Sequence, residues 1–574
     1  GEQYFARAVD FGFSKSAQEA FAKWGREDVL GDIVWNIRRY RPDIIINRFS
    51  GTARDGHGHH TASGLLTKDA YEAAADPKRF PEQLKYVQPW RAKRIMFNLF
   101  AFGAQMEAEN AKVPDKVEIE VGAFDPVLGY SYNEIAGMSR SSHRSQAFGS
   151  AERKGSQKAH LITTGGEPAK TDIFDGVDTT WNRVAGGVRI GQLLARANAE
   201  FKAEAPASVV PLLMEARQLA AANQDWWAQY KLEEIDEAIA LCSSLFAELV
   251  TDKEQVTPGG SAKLTANVIL RSKAPLKWSA TRLEPAGAEI KTPGAPLPDN
   301  AFATASAEWT VPADHPLSQP YWLREPRKNG QALFAVADQR LVGLSENPPV
   351  MAAVFEFTDD TGRKFQLSRE ARYRFIDQVE GEQSRRLVVV PPVAVKVTEP
   401  VLIFPDAKPR VVAVEVKANT AKAGGKLRLR LPEGWTAAPA DQPFTIADRG
   451  EVASYKFTVT PPAWSGKANL DAEALLADGR IVRQGTEIIK YPHIPVQTTF
   501  PQAQASAVKI DVKVHAKRVG YVMGSGDEVP GALRQLMTGS EADALGAGLS
   551  SMGVYLLMAI VLLVRPKGLF PAHD

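Results

Sequence analysis

The apolar residues of this chain change their spacing once, and abruptly, at Thr257-Pro258-Gly259-Gly260. Before that point, helix-spaced stretches alternate with short apolar runs. After it, to about Thr499, short alternating strands are separated by Pro, Gly and Asp turns. A helix buries a stripe and a strand buries every second residue, so the two patterns belong to different layered units. The chain therefore reads as multidomain α/β plus all-β. Its 574 residues exceed one core and suggest about three to five units at roughly 100–200 residues each.

Residues 1–190 carry the α/β pattern. Ser16-Ala17-Gln18-Glu19 reads as a capping box, and a helix is expected near Asp28–Tyr40, with Val29, Leu30, Ile33, Val34 and Ile37 on one face. Pro42 ends it, and Asp43-Ile44-Ile45-Ile46-Asn47 has the composition of a buried parallel strand. Further strands are expected at Ile95–Phe100 and Lys116–Val121. A helical segment follows over 191–254, with helices at Gln192–Glu204 and Ser208–Leu249. Two β-sandwiches are expected at 255–385 and 395–500, joined at Val390-Pro391-Pro392. Strand candidates there include Lys263–Leu270, Val350–Phe357, Arg410–Val416 and Lys426–Leu431. Residues 515–536 read as the start of a further, truncated α/β domain. Its Gly524-Ser525-Gly526-Asp527 is not a full dinucleotide fingerprint.

Bulk properties exclude some functions. The net charge is +2 with both signs scattered, so no basic field points to nucleic acid. One cysteine, Cys242, excludes internal disulfides and a thiolate zinc cluster, and its apolar run Ala238–Cys242 marks it as core. Cysteine usage leaves the compartment open. Gly1-Glu2-Gln3-Tyr4-Phe5 offers neither an initiator Met nor a signal peptide, and the chain is expected to begin partway through a domain. Residues 544–564 are uncharged and long enough for a membrane-spanning helix, with Arg565 and Lys567 placing the C-terminus on the cytoplasmic side. Trp24, Trp35, Trp90, Trp181, Trp226 and Trp227 are candidate sugar platforms, with core packing the commoner role. No Gly-x-Ser-x-Gly elbow supports a serine hydrolase, although Ser63, Ser142 and Ser145 lie near histidines.

The chemistry concentrates in Asp55-Gly56-His57-Gly58-His59-His60, which holds three of the nine histidines directly after an apolar run. Imidazole is the commonest zinc ligand, and α/β sites lie beyond the carboxyl ends of strands. His57 and His60 share a face if the segment turns into a helix. Gly56 and Gly58 would let the backbone approach a ligand, and Asp55 would orient a histidine from behind. His59 is the member expected to point elsewhere. The cluster lacks a carboxylate ligand and a general base at definable spacing.

These residues resemble the large bacterial PIG-L (LmbE-like) deacetylases. The likeness runs through Tyr4–Ser16, Arg41–Ile45, Asp55–Gly64, Gly129–Tyr132, Ser139–Gln146 and Pro320–Arg324, over about residues 1–535. The resemblance implies a Rossmann-like domain, incomplete here, with one Zn2+ that serves to remove N-acetyl groups from amino-sugar conjugates. It makes His60 a metal ligand and His57 the catalytic residue that polarises the amide carbonyl and stabilises the oxyanion. Asp55, His59 and His143 would stand behind or line the site. Gly58-His59 replaces the usual Pro-Asp. The usual His-Pro-Asp-Asp-Glu motif, which supplies a His ligand, an Asp ligand and the general base, is absent, so the chain as it stands is expected to be inactive. The last 30 or so residues resemble the final helix of branched-chain amino-acid transporter permeases, ending in Arg565-Pro566-Lys567-Gly568-Leu569-Phe570. Two rival readings remain: a non-catalytic glycan- or cell-envelope-binding protein, and a chimeric fragment tethered to or exported through the membrane by 544–564.

Overall fold

The computed structural model describes residues 2–536 apart from 102, 147, 295, 328–329, 516–518 and 522–526. The glycine turn near 524 and the apolar segment 544–564 lie outside the described residues. Among the described residues, no helix is long and apolar enough to cross a membrane.

The N-terminal unit is a small mixed sheet with helices. Ser16 caps the first helix, α1 (Ala17–Trp24), by accepting from Glu19 N–H. The reciprocal half of the expected box is missing, because the Glu19 carboxylate takes Lys15 N–H instead. Helix α2 (Arg26–Tyr40) ends on Arg41 in the left-handed conformation, just before Pro42. Strand β1 (Ile44–Asn47) follows, and after the histidine loop comes helix α3 (Gly58–Ala75). Then come β2 (Arg94–Asn98), helix α4 (Ala104–Ala111), β3 (Val117–Glu120), the short hairpin β4–β5 (Phe124–Asp125, Tyr130–Ser131), helix α5 (Tyr132–Ser141) and β6 (Lys158–Gly166). The sheet order is β1-β2-β6-β3. Only β1 and β2 are parallel, with Ile44 opposite Arg94; β6 runs antiparallel to both its neighbours.

The expected buried strand at 43–47 is thus an edge strand, and Ile46 is 48% exposed. Its apolar run reflects one covered face and one open edge, which the residue types alone do not distinguish. Helices α1, α2 and α3 share one apolar cluster built on Ala20, Trp24, Leu30, Val34, Leu66 and Ala70.

The helical segment holds four helices between Val188 and Cys242. The helix expected to run to Leu249 stops at Cys242, and Leu245–Thr251 is a strand that alternates buried and less buried positions. It joins a seven-stranded sheet that includes Ser261–Leu270, Leu276–Glu284, Ala303–Thr310, Ala352–Asp359 and Lys364–Asp377. That sheet and the helices share one core. The next unit is a sandwich: four-stranded and six-stranded sheets enclose Val395, Val414, Phe457, Leu427, Ala472 and Ala505. It extends past 500 to a strand at Gln504–Lys509. The helix Val529–Leu536 docks on it through Gln535, which accepts from Ile403 N–H at 2.7 Å.

Arg38 of α2 is fully buried, and among the described residues no carboxylate lies within ion-pair distance of it. Its guanidinium donates to the carbonyls of Ala73, Ala74, Asp76, Arg79 and Phe80 and to Gln83 Oε1, at 2.8–3.2 Å. One side chain thus gathers the carbonyls at the end of α3 and in the loop beyond it, where Ala73 O and Ala74 O also accept from Asp76 N–H and Trp90 N–H. Arg38→Met is expected to cost about 2–3 kcal/mol, because several charge-assisted hydrogen bonds to these carbonyls would be lost. Chemical denaturation followed by tryptophan fluorescence checks this, with Arg38→Lys recovering only part of the loss.

Candidate functional site

The site forms where β1 ends and α3 begins. Asp55 closes the connecting loop: its carboxylate accepts from the backbone N–H groups of Ser50, Gly51 and Thr52 and from the Ser50 hydroxyl, at 2.7–3.1 Å. The carboxylate is therefore spent on the loop, and Asp55 orients His60 through its main-chain carbonyl instead. His60 Nδ1 lies 2.9 Å from that carbonyl, which can only accept, so Nδ1 carries the proton and Nε2 keeps its lone pair. The His60 ring is stacked on Phe49 at 4.0 Å and faces the His57 ring at 4.0 Å.

His57 is the N-cap residue of α3 but makes no capping bond of its own. The cap comes from the distant segment before α1. Ser14, fully buried, accepts Gly58 N–H on its carbonyl at 2.9 Å and His59 N–H on its hydroxyl at 2.7 Å. Gly58 is required for this crossing: a Cβ there would sit 2.1 Å from Ser16 O. The expected close approach at Gly58 thus serves the chain's own backbone, while Gly56, at φ 89°, turns the loop into the helix.

His59 points away from the pair, between Phe11 at 4.3 Å and Trp24 at 4.7 Å. Its Nδ1 is 2.5 Å from Ser14 Oγ and its Nε2 is 3.8 Å from Asp10 Oδ1. The Asp10 charge favours a proton on Nε2, so Nδ1 accepts from the Ser14 hydroxyl. That leaves a buried Nε2–H beyond hydrogen-bonding reach of any partner. Burial pushes the pKa of both His57 and His59 below the ordinary 6.5. Neighbouring histidines add to the effect, and Asp10 opposes it. Both rings are therefore neutral at pH 7.

His143 is exposed on the turn after α5, and its backbone bonds stay within that turn. Among the described residues, no hydrogen bond or ring contact links it to His57 or His60. Phe49, Phe13 and Ser14 were missed as contributors. Phe13, 74% exposed, lies against His57 at 5.4 Å. No spacing rule links positions 11–14 to 57–60, and only the crossing at Gly58 brings them together. The tryptophans near this unit are committed to structure. Trp24, Trp35 and Trp90 donate their indole N–H to backbone carbonyls, and Trp226 and Trp227 lie under Arg41 and Arg183.

A hydrolytic zinc takes three protein ligands and an open position. Among the described residues, no group of three or more His, Cys, Asp or Glu side chains stands where it would hold a metal ion. His60 Nε2 and the facing His57 ring do not fit that requirement on their own.

No family model matches this chain, and no curated protein matches it. Among solved structures, it is similar to a protein of unknown function from Porphyromonas gingivalis W83, at 14% identity and TM-score 0.14, over 46% of this chain and 99% of that one. It is also similar to the native conformation of E. coli alpha-2-macroglobulin, at 9% identity and TM-score 0.16, over 46% and 17% of the two chains. A third is the Yersinia pseudotuberculosis adhesin InvE, at 11% identity and TM-score 0.14, over 44% and 58%. Overlaps this weak carry no argument about fold or function.

Two expectations follow from the geometry. Ser14→Ala removes the hydroxyl half of the α3 cap, leaving the carbonyl bond to Gly58 N–H, and should lower stability by about 1–2 kcal/mol. Faster amide exchange confined to the first turn of α3 would locate the effect. Because the folded pKa values of His57 and His59 lie below 6.5, the unfolded chain takes up these protons first. Their stabilisation is complete above about pH 7.5 and is lost as pH falls through 6.5 toward the lowered folded values. Denaturation midpoints should fall over that window in wild type and fall less steeply in a His57→Gln/His59→Gln variant.

Proposed function

We propose that the N-terminal unit is of the PIG-L (LmbE-like) kind, built to hydrolyse the amide of N-acetylated amino-sugar conjugates, and that this polypeptide as it stands does not turn them over. The observation that carries the reading is the His57–His60 pair at the start of α3, directly beyond the carboxyl end of β1. A ring held neutral and half-buried is suited to donate an N–H to an amide carbonyl, and the bond strengthens as that oxygen becomes an oxyanion. This is the role proposed for His57. His60, with its Nε2 lone pair free, is the proposed zinc ligand in a complete site of this kind.

The inactivity follows from what surrounds the pair. Among the described residues, no carboxylate lies within hydrogen-bonding reach of either ring: the Asp55 carboxylate holds its own loop, and Asp10 stands beside His59 instead. An attacking water therefore has no base, and zinc has too few ligands to bind tightly.

Calorimetric titration with zinc is expected to show no tight one-to-one binding. Acetate release from N-acetylglucosamine conjugates should stay at the uncatalysed rate with zinc added. Stoichiometric tight binding, or zinc-dependent acetate release abolished by His57→Ala, would overturn the claim of inactivity. Weak zinc binding unaffected by His60→Ala would remove the support for the pair as a half-site.

A further inference from the structure

The sequence block Pro320–Arg324 has no part in the histidine site, yet Pro320, Trp322 and Arg324 line a cleft of their own. This cleft encloses about 600 Å³, within the range of small-ligand sites. Its walls come from segments 315–324 and 338–350, from the edge of the seven-stranded sheet near Arg372 and Arg386, and from 495–498 of the sandwich. Prolines 316, 320, 348, 349 and 495 stiffen them, so little order has to be imposed when a ligand enters.

Tyr321 anchors the block. It is buried, donates its hydroxyl to Leu344 O at 2.8 Å, and donates its N–H to Asn347 Oδ1 at 2.8 Å. Trp322, edge-on to Tyr321, is half-buried and lines the cleft.

The charges of the wall are mostly spent on each other. Arg386 bridges Glu346 at 2.6 Å and Glu370 at 2.8 Å, and Arg372 also pairs with Glu370. Arg385 pairs with Glu254, and Arg340 with Asp338. Arg324 differs. It is exposed, its guanidinium donates from Nε to Gln319 O at 3.3 Å, and among the described residues no carboxylate lies within ion-pair distance, although Asp338 feels its charge from farther off. The cleft thus offers an aromatic face, an open guanidinium fork two residues away, and paired charges able to bond hydroxyl groups.

That combination discriminates between ligands. A polyanion would need several open cations, a simple organic anion has no use for Trp322, and a neutral sugar leaves Arg324 idle. We propose that this cleft binds an acidic saccharide, with a sugar ring on Trp322 and its carboxylate in the Arg324 fork. The site is independent of the deacetylase reading, since it shares no residue with the histidine pair.

The test is calorimetric titration of the full chain with maltotriose whose terminal glucose is oxidised to glucuronic acid, so that it carries one carboxylate, and separately with maltotriose, in EDTA at fixed ionic strength. Saturable one-to-one binding of the acidic trisaccharide is expected, with maltotriose weaker by about tenfold or more. Trp322→Ala and the exposed-site variant Arg324→Gln should each weaken the acidic ligand by a similar factor. Absence of saturable binding, or binding unchanged in Arg324→Gln, overturns the proposal. Loss in Arg324→Gln with none in a folded Trp322→Ala would mark an anion site and overturn the saccharide assignment. Because no zinc and no acetate are involved, none of these outcomes bears on the deacetylase reading.

Discussion

Arg38, one of two fully buried arginines among the described residues of the N-terminal unit, ties several of its elements together. Removing a guanidinium from water costs several kcal/mol, and among the described residues no carboxylate forms an ion pair with Arg38, although Asp76 and Glu82 favour its charge from farther off. Repayment comes from six oxygen acceptors gathered from the end of α3 and the loop beyond it. The arrangement clamps the end of α3 to the loop beyond it, adding a second donor to Ala73 O and Ala74 O, which also accept from Asp76 N–H and Trp90 N–H. Gln83, which accepts from Arg38, also donates to Gly31 O, so the same network ties the loop back to α2. This side chain therefore joins α2 to the end of α3, alongside the apolar cluster that the two helices share.

The other end of α3 is held by a different device. Ser14 supplies both a carbonyl and a hydroxyl to the first turn, and Gly58 leaves room for the crossing backbone. The result fixes three imidazoles in two directions. His59 is absorbed into the aromatic packing of Phe11 and Trp24 and leaves a buried N–H unpaired, at a cost in stability. His57 and His60 stay together at the surface of the loop. A chain that ties down one histidine so expensively gains a fixed direction for its two neighbours.

Much of this was legible beforehand, and what was not failed for physical reasons. The end of α2 before Pro42, the strand after it and the helix opening at the histidines all follow from local rules, since proline geometry and apolar period act within a few residues. The separation of His59 from its neighbours follows in the same way from helical spacing. Gly58 was misread because it makes room for a crossing segment of backbone, and that Asp55 meets His60 through its carbonyl while its carboxylate closes the loop was likewise out of reach, since a sequence motif does not reveal whether a group faces a ligand or its own chain. The overrun from Cys242 to Leu249 has another cause. Leu245, Phe246, Ala247 and Leu249 suit either a helix or a strand, and the sheet partner that decides lies some twenty residues later, at Asn267 and its neighbours. Ser14 belongs to the same class of long-range effects.

The same kind of long-range tie joins the histidine unit to the cleft. Segment 331–344 leaves the β-rich region and runs along the N-terminal unit: Ala332 N–H donates to Lys23 O, Phe334 N–H to Arg7 O, and Val342 O accepts the Trp35 indole N–H. Leu333 is fully buried among the residues of α1–α3. A few positions on, Asp338, Arg340 and Glu346 form part of the cleft wall. One stretch of backbone therefore serves as core for the first unit and as wall for the second. An insertion or a flexible linker in this stretch would unseat Leu333 and move the cleft wall together, since burial of one apolar side chain and a row of backbone hydrogen bonds hold both in place. Sequence similarity to either unit alone would not reveal this dependence, because the residues that create it are about three hundred positions apart and meet only in the fold.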